Sequence, residues 1–202
     1  MAEYTVALTP ADRRRTAALA GVRRIPDKGQ GVVAVRDIPA WTLVGPYPGL
    51  RTTHAGFSKR KDQGHTTGKY AVDFWKPDKN GHAKTGYVLD PGHGNGTLRP
   101  EFAHAVAPMI NEPNATPPNL VWVWNLPKYR MEHWTCVPVK KGQELTICYG
   151  TGGGYERDYT TACVSQPGVE PQLHVVATPG GKPVAYGTLG NAGVQRAINS
   201  LK

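Results

Sequence analysis

The sequence predicts a mostly β domain assembled from several small sheets, with few short helices. Three observations point there. Glycine (24) and proline (18) together make up about a fifth of the 202 residues, a level that suits many tight turns and argues against a helical bundle. The apolar residues, 39% of the chain, fall in short clusters rather than long stripes. Those clusters are β-prone runs bounded by turn residues. A chain of this length is one domain, or one domain with small flanking pieces, and can bury a core without disulfides or metals.

Taken in order, the first element is a short helix. Thr9 caps it, Pro10 suits its first position, Asp12 completes a capping box and Gly21 can end it. The text then turns to β, with residues 32–35, 41–44, 70–74 and 87–89 reading as short strands. Residues 51–69 are polar and basic without a clear period, and read as an irregular insert. Two further strands are expected at 120–124 and at 144–148, the second following the Lys141-Gly142 turn. Residues 173–177 and 183–186 flank Thr178-Pro179-Gly180-Gly181-Lys182 as a hairpin. Asn191 can cap a last helix, in which Val194, Ala197, Ile198 and Leu201 recur at helical spacing. That stripe needs a surface to cover, which leaves a homodimer open. No internal repeat or low-complexity tract is present.

Bulk properties narrow the partners. No stretch approaches the roughly 20 apolar residues that cross a bilayer, and residues 1–15 lack the apolar segment of a secretory signal. No membrane partner is expected, and two glycosylation sequons, at Asn95 and Asn114, read as chance. Cys136, Cys148 and Cys163 form no CxxC pair, so neither a disulfide framework nor a four-ligand zinc site is expected. An intracellular, reducing compartment fits that usage. The histidines are scattered without metal-ligand spacing, so no metal is expected. The net charge of +9 is concentrated at Arg13–Arg15, Arg23, Arg24 and Lys59–Lys61. It suits either a polyanionic partner such as nucleic acid or a solvated basic face.

Four segments carry the chemistry. Lys28-Gly29-Gln30-Gly31 leads directly into the strand at 32–35. Tyr47-Pro48-Gly49 follows the strand at 42–45. Met109-Ile110-Asn111-Glu112-Pro113 precedes Pro118-Asn119 and the strand at 120–124. Finally, Glu144-Leu145-Thr146-Ile147-Cys148-Tyr149-Gly150 runs from a turn through a strand to a tyrosine and a glycine. Each is ordinary alone: glycines serve any tight turn, and an asparagine in an apolar setting needs only a hydrogen-bonded amide.

In this order the four resemble the SET domain family. Gly29-Gln30-Gly31 is similar to its first glycine motif and Tyr47-Pro48-Gly49 to its YxG. Asn111 to Asn119 resembles NHSxxPN, and Glu144 to Gly150 resembles ELxxDYG. Tyr87-Val88-Leu89-Asp90, then Gly94-Asn95, is similar to the strand and loop ahead of the third motif. The resemblance covers about residues 21–159. It implies a β-clip of small sheets in which the third and fourth motifs cross as a knot-like core, rare among folds. It also implies a division into a flanking helix (1–21), the SET domain (22–160) and a C-terminal extension of hairpin plus helix (161–202).

The same resemblance implies a protein-lysine N-methyltransferase using S-adenosyl-L-methionine. Lys28, Gly29, Gln30 and Gly31 would bind the cofactor, largely through main chain, with Asn111 at its amino acid end and Glu112 beside it. Tyr149 would be the catalytic tyrosine. Tyr70 would border both cofactor and lysine channel, and Trp122, Ile147 and Tyr155 would line the channel. Ile147 stands where the family often has Phe or Tyr, which favours multiple methylation, while the bulk of Trp122 pushes the other way. The expected partner is a protein bearing a target lysine, histone or non-histone, with nucleosomal DNA as a contact for the basic surface and the nucleus as the site if the substrate is a histone.

The chain departs from the family pattern in four places. Glu112-Pro113 replaces His-Ser, and Cys148 replaces the aspartate before the tyrosine. Ala107-Pro108-Met109 stands where an arginine is usual. Residues 152–159 replace the cysteine-rich zinc segment that often follows. These departures motivate a rival reading, an inactive SET-like basic module that binds chromatin, DNA or peptide. Phosphate-binding loops at 92–96 or 152–154 lack the GK[ST] ending of a P-loop and are set aside.

Overall fold

The computed structural model describes residues 4–77, 83–114, 116–125, 130–149, 163, 172–177 and 183–187. The first strand is β1 (Tyr4–Val6), followed by α1 (Pro10–Leu19), β2 (Ala20–Ile25), β3 (Gly29–Ala34), β4 (Leu43–Pro46) and β5 (Gly49–Thr52). Next come α2 (His54–Asp62), β6 (Val72–Pro77), β7 (Ala83–Asp90), β8 (Leu120–Asn125), β9 (Arg130–Thr135), β10 (Glu144–Leu145), β11 (Gln172–Ala177) and β12 (Pro183–Gly187). They form three small sheets, ordered β1-β5-β7-β6, β10-β3-β2 and β12-β11-β8-β9-β4. All pairings are antiparallel except β8 with β11. The mostly β class expected from the turn-rich composition is therefore the class observed.

Helix α1 starts as its sequence dictates. Thr9 Oγ1 accepts from the Asp12 amide, and the Asp12 carboxylate accepts from the Thr9 amide. Gly21 does not end it: the chain is extended from Ala20 onward and enters β2, which sequence reading did not anticipate. The helix is tied to the sheets by polar contacts. Thr16 Oγ1 donates to the Val44 carbonyl at 3.0 Å, an approach that requires Gly45, whose Cβ would stand 2.5 Å from that oxygen. Buried Asp12 also pairs with Arg130 on β9 at 3.2 Å.

Several boundaries moved for identifiable reasons. Trp41 has φ of 60°, a left-handed conformation costly for a side chain of its bulk, so β4 begins only at Leu43. Tyr70 lies in a turn before β6 rather than on it. The insert at 51–69 contains α2, capped by Thr53 and buried nowhere along its length, so it had no apolar period to read. The hairpin β11–β12 lies where the flanks of the Pro-Gly-Gly turn placed it, and the helix expected from Asn191 lies outside the described residues.

The shared core is drawn from all three sheets and includes Val32, Val44, Leu89, Leu120, Met131 and Leu145. At its centre the fourth motif passes between the two ends of the third. The Ile147 amide donates to the Asn111 carbonyl at 3.0 Å, and the Leu120 amide to the Thr146 carbonyl at 3.0 Å. Asn119 completes the crossing: its Nδ2 donates to the Glu144 carbonyl (2.8 Å) and its Oδ1 accepts from the Thr146 amide (2.9 Å). A side chain thus acts as a strand partner, satisfying backbone groups that burial would otherwise penalise. This is the crossing that the resemblance implied.

Candidate active site

Glycine geometry builds the first wall. The β2–β3 turn carries Asp27 (φ 62°) and Gly29 (φ 76°) in left-handed backbone. Gly31 is glycine for a different reason. A Cβ there would stand 2.5 Å from Ile25 Cγ1 and 2.6 Å from Asn111 Nδ2, so only a bare backbone lets Asn111 reach the strand. Asn111 Nδ2 then donates to the Gln30 carbonyl at 3.1 Å and to Glu144 Oε1 at 3.0 Å.

Glu144 is the hub that sequence reasoning missed as a site residue, although its motif was recognised. Its other oxygen accepts from Lys28 Nζ at 3.0 Å, and the same ammonium donates to the Glu112 carbonyl at 2.9 Å. One carboxylate therefore joins the first, third and fourth motifs. Glu112 uses both ends. Its main-chain oxygen holds Lys28, and its buried side chain accepts from the Tyr149 amide at 2.7 Å. The residue standing in the usual histidine position thus fixes the backbone of the tyrosine.

Tyr149 is fixed at its far end too, its hydroxyl donating to the Ile110 carbonyl at 2.7 Å. It remains 40% exposed, so its ring is open to solvent while both its polar ends are held. Behind it Trp122 Nε1 donates to the Cys148 carbonyl at 2.8 Å. The Trp122 ring lies 5.8 Å from that of Tyr47 and 4.3 Å from the imidazole of His133.

Tyr47, from the YxG segment, is a second missed residue. It is buried, and its hydroxyl donates to the Tyr70 carbonyl at 2.5 Å. Burial raises its pKa well above the ordinary phenol value, and the nearby Tyr149, Asp90 and Tyr70 raise it further. Tyr47 is therefore a neutral phenol beside Tyr70 and Tyr149. The YxG glycine has its own steric reason: a Cβ at Gly49 would meet the Asp90 backbone nitrogen at 2.9 Å.

Lys28, Gly29, Gln30, Gly31, Asn111 and Glu112 are thus brought to one face, with Tyr149 joined to it through Glu112. Tyr70 and Trp122 meet on the aromatic side through Tyr47. Ile147 is only 1% exposed and packs in the core, and Tyr155 lies outside the described residues. One expectation is overturned. Cys148 and Cys163 form a disulfide, although no local spacing announced it, because partners 15 residues apart meet only once the fold returns the chain. The face can hold a ligand of mixed charge: it offers an ammonium at Lys28, a carboxylate at Glu144, and bare backbone at Gly29, where nothing lies within 4 Å of the Cβ position.

The model of the SET domain family matches residues 29–150. No curated protein matches the chain. Among solved structures, the crystal structure of KRYPTONITE in complex with mCHG DNA and SAH is similar over 70% of this chain, with 20% identity and a TM-score of 0.46. This chain spans about a quarter of that one's length (25%). The family match alone covers more than half of the sequence and takes in all four motifs; the chain belongs to the SET domain family.

Proposed function

We propose that the chain is a protein-lysine N-methyltransferase that uses S-adenosyl-L-methionine. The observation that carries this reading is the placement of Tyr149, held through its amide by Glu112 and through its hydroxyl by the Ile110 carbonyl. It stands where the aromatic group meets the polar face built on Lys28, Gln30, Asn111 and Glu144.

The cofactor, when bound, supplies a methyl group on a positively charged sulfur. Lys28, Gly29, Gln30, Gly31, Asn111 and Glu112 would hold it, the glycine turn through main chain. The aromatic group would take the target lysine, with Tyr155 as a further wall. Transfer needs a neutral amine, whereas free lysine titrates near a pKa of about 10.4. Desolvation among Tyr47, Tyr70, Trp122 and Tyr149 disfavours the ammonium, so its proton leaves to water. Tyr47 keeps its own proton and spends it on the Tyr70 carbonyl, so it orients rather than acting as a base. Aromatic faces then hold the methylated cation at roughly 0.5–2 kcal/mol per contact. Alignment of nitrogen with the transferring methyl supplies much of the remaining rate.

The substrate is a protein lysine, on a histone or another protein. Exposed Arg13–Arg15 on α1 and Arg23 and Arg24 on β2 suit nucleosomal DNA. A free basic tail would gain nothing from long-range attraction to a chain at +9, which favours nucleosomes or a neutral or acidic protein. An intracellular location, nuclear for a histone substrate, belongs to the same proposal, as do a dimer through the C-terminal stripe and a SET domain spanning residues 22–160.

The test is methyl transfer from labelled S-adenosylmethionine onto core histones, nucleosomes and a cell lysate, beside Tyr149→Phe. Label on lysine that falls at least 100-fold in the variant is the expected result. A second reading, the inactive binding module, draws on Asn111 and Glu112 spending their side chains on internal hydrogen bonds. Absence of both transfer and SAH binding would favour it.

A further inference from the structure

We propose that the Cys148–Cys163 pair is a redox switch that sets the position of Tyr149, the disulfide being the active arrangement; the inference rests on the methyltransferase reading above. Three observations meet at residue 148. It directly precedes Tyr149 in the chain. Its sulfur is bonded to that of Cys163. Its carbonyl accepts the Trp122 indole N–H at 2.8 Å. One residue therefore joins the proposed catalytic tyrosine, the aromatic wall on β8 and a covalent tie to a distant point of the chain.

The tie matters because Tyr149 sits at the edge of the core, 40% exposed. Hydrogen bonds from its amide to Glu112 and from its hydroxyl to the Ile110 carbonyl place it, and two such bonds make only a modest net contribution. The disulfide adds a covalent restraint on residue 148, next to Tyr149 in the chain. Both residues are buried, Cys148 at 6% and Cys163 at 8% exposure, so a dithiol reaches the pair only through local opening of the chain. The third cysteine, Cys136, is apart from them: its sulfur approaches the Pro118 carbonyl at 3.6 Å, and burial raises its thiol pKa. It stays a thiol while the pair cycles.

Reduction is a two-electron, two-proton step carried out by a dithiol. One thiolate of the dithiol attacks a sulfur of the pair and breaks the S–S bond through a mixed disulfide. Its second thiol then resolves that intermediate. Cys148 and Cys163 emerge as two thiols and the reductant leaves as its own disulfide. Residue 148 regains its freedom, and both the Trp122 hydrogen bond and the seating of Tyr149 loosen. In the reducing intracellular setting proposed above the pair would rest as two thiols, and an oxidant would switch the enzyme on.

The experiment compares the full chain oxidised, reduced with dithiothreitol and reoxidised, together with Cys163→Ser, at 20 °C. SAH affinity is measured by calorimetry and methyl transfer on core histones and nucleosomes. Thiols are counted with a maleimide after unfolding. The expected result is one thiol before reduction and three after, with SAH affinity and transfer both falling at least ten-fold and returning on reoxidation. Cys163→Ser sits at the reduced level with or without dithiothreitol. Equal affinity and rate in both states, even with a lower thermal midpoint on reduction, would make the disulfide structural and overturn the switch alone. Three thiols in the unreduced chain would overturn it too. No SAH binding in any state would sink the methyltransferase reading and the switch with it.

Discussion

Glu132 and Glu144 each gather a cation and an amide, yet they lie in opposite settings. Glu132 accepts from Arg130 Nε at 2.6 Å, Asn125 Nδ2 at 3.2 Å and Trp134 Nε1 at 3.0 Å, and its side chain is 1% exposed. Glu144 accepts from Lys28 Nζ and Asn111 Nδ2, both at 3.0 Å, with 20% of its side chain open. The first carboxylate is buried, although Arg130 keeps 16% of its side chain exposed. The second stands at a rim, between a glycine turn and the tyrosine. Similar chemistry thus stands in a buried setting in one place and, on the proposed reading, at the recognition face in the other.

The largest expected effect lies at the buried carboxylate. Glu132→Ala leaves Trp134 Nε1 and the Arg130 guanidinium without that carboxylate in a buried setting, which typically costs 3–5 kcal/mol. Arg130 keeps Asp12 at 3.2 Å, so the expected loss is at the low end, about 3 kcal/mol, or roughly 6–12 °C in thermal midpoint for a chain of this size. SAH affinity at 20 °C should be unchanged. A ten-fold loss of SAH affinity in this variant would break the comparison.

This contrast also explains what the sequence disclosed. The strand at Leu120–Asn125 and the hairpin β11–β12 were legible because apolar runs and a Pro-Gly-Gly turn mark them locally. Strand β9 was not, since Arg130-Met131-Glu132-His133-Trp134-Thr135 places a carboxylate and an imidazole at buried positions, against the usual price of burying polar groups. Helix α2 was illegible for the converse reason, having no buried residue to mark an apolar face. At the candidate site, motif order pointed to Asn111, Glu112 and Tyr149, which the fold brings near one another. The hub at Glu144 stayed hidden because its partners lie 116 and 33 residues away. No local spacing could announce it, and the same holds for the disulfide.

A second prediction concerns the neighbour of Glu132. His133 is fully buried, neither ring nitrogen has a hydrogen-bond partner among the described residues, and desolvation lowers its pKa from 6.5 to about 3. The folded chain therefore holds the imidazole neutral while the unfolded chain takes up a proton below 6.5. Stability is fully present above that value and falls as pH drops toward 3, by about 2 kcal/mol between pH 7 and pH 5. His133→Phe should remove that slope in urea titrations across this range and leave stability at pH 7 equal or higher, since no hydrogen bond is lost. Asp12, whose pKa is lowered by Thr9 and Arg130 against the opposing and largest effect of burial, adds its own loss only at more acidic pH. An unchanged slope in the variant would show that the acid sensitivity resides elsewhere.

The smallest effect on stability should come from the rim, and it sharpens the comparison most. Glu144→Gln keeps the shape and an acceptor for Asn111 but removes the charge facing Lys28, a pair with 15% and 20% of its side chains exposed. Solvent screening discounts such a pair, so the expected cost is about 1 kcal/mol or less, a shift of roughly 2–4 °C at most. Lys28 would keep the Glu112 carbonyl as its acceptor, but its ammonium would be less firmly placed toward the bound cofactor. SAH affinity should fall about ten-fold, equivalent to about 1.4 kcal/mol. The ratio of the two losses is the diagnostic quantity: in Glu132→Ala stability falls and affinity holds, whereas in Glu144→Gln affinity falls and stability nearly holds. Calorimetric titration beside thermal melts of both variants reads that ratio directly. A Glu144→Gln protein that melts as low as Glu132→Ala with unchanged SAH affinity would place Glu144 in the scaffold and move the recognition face to the glycine turn alone.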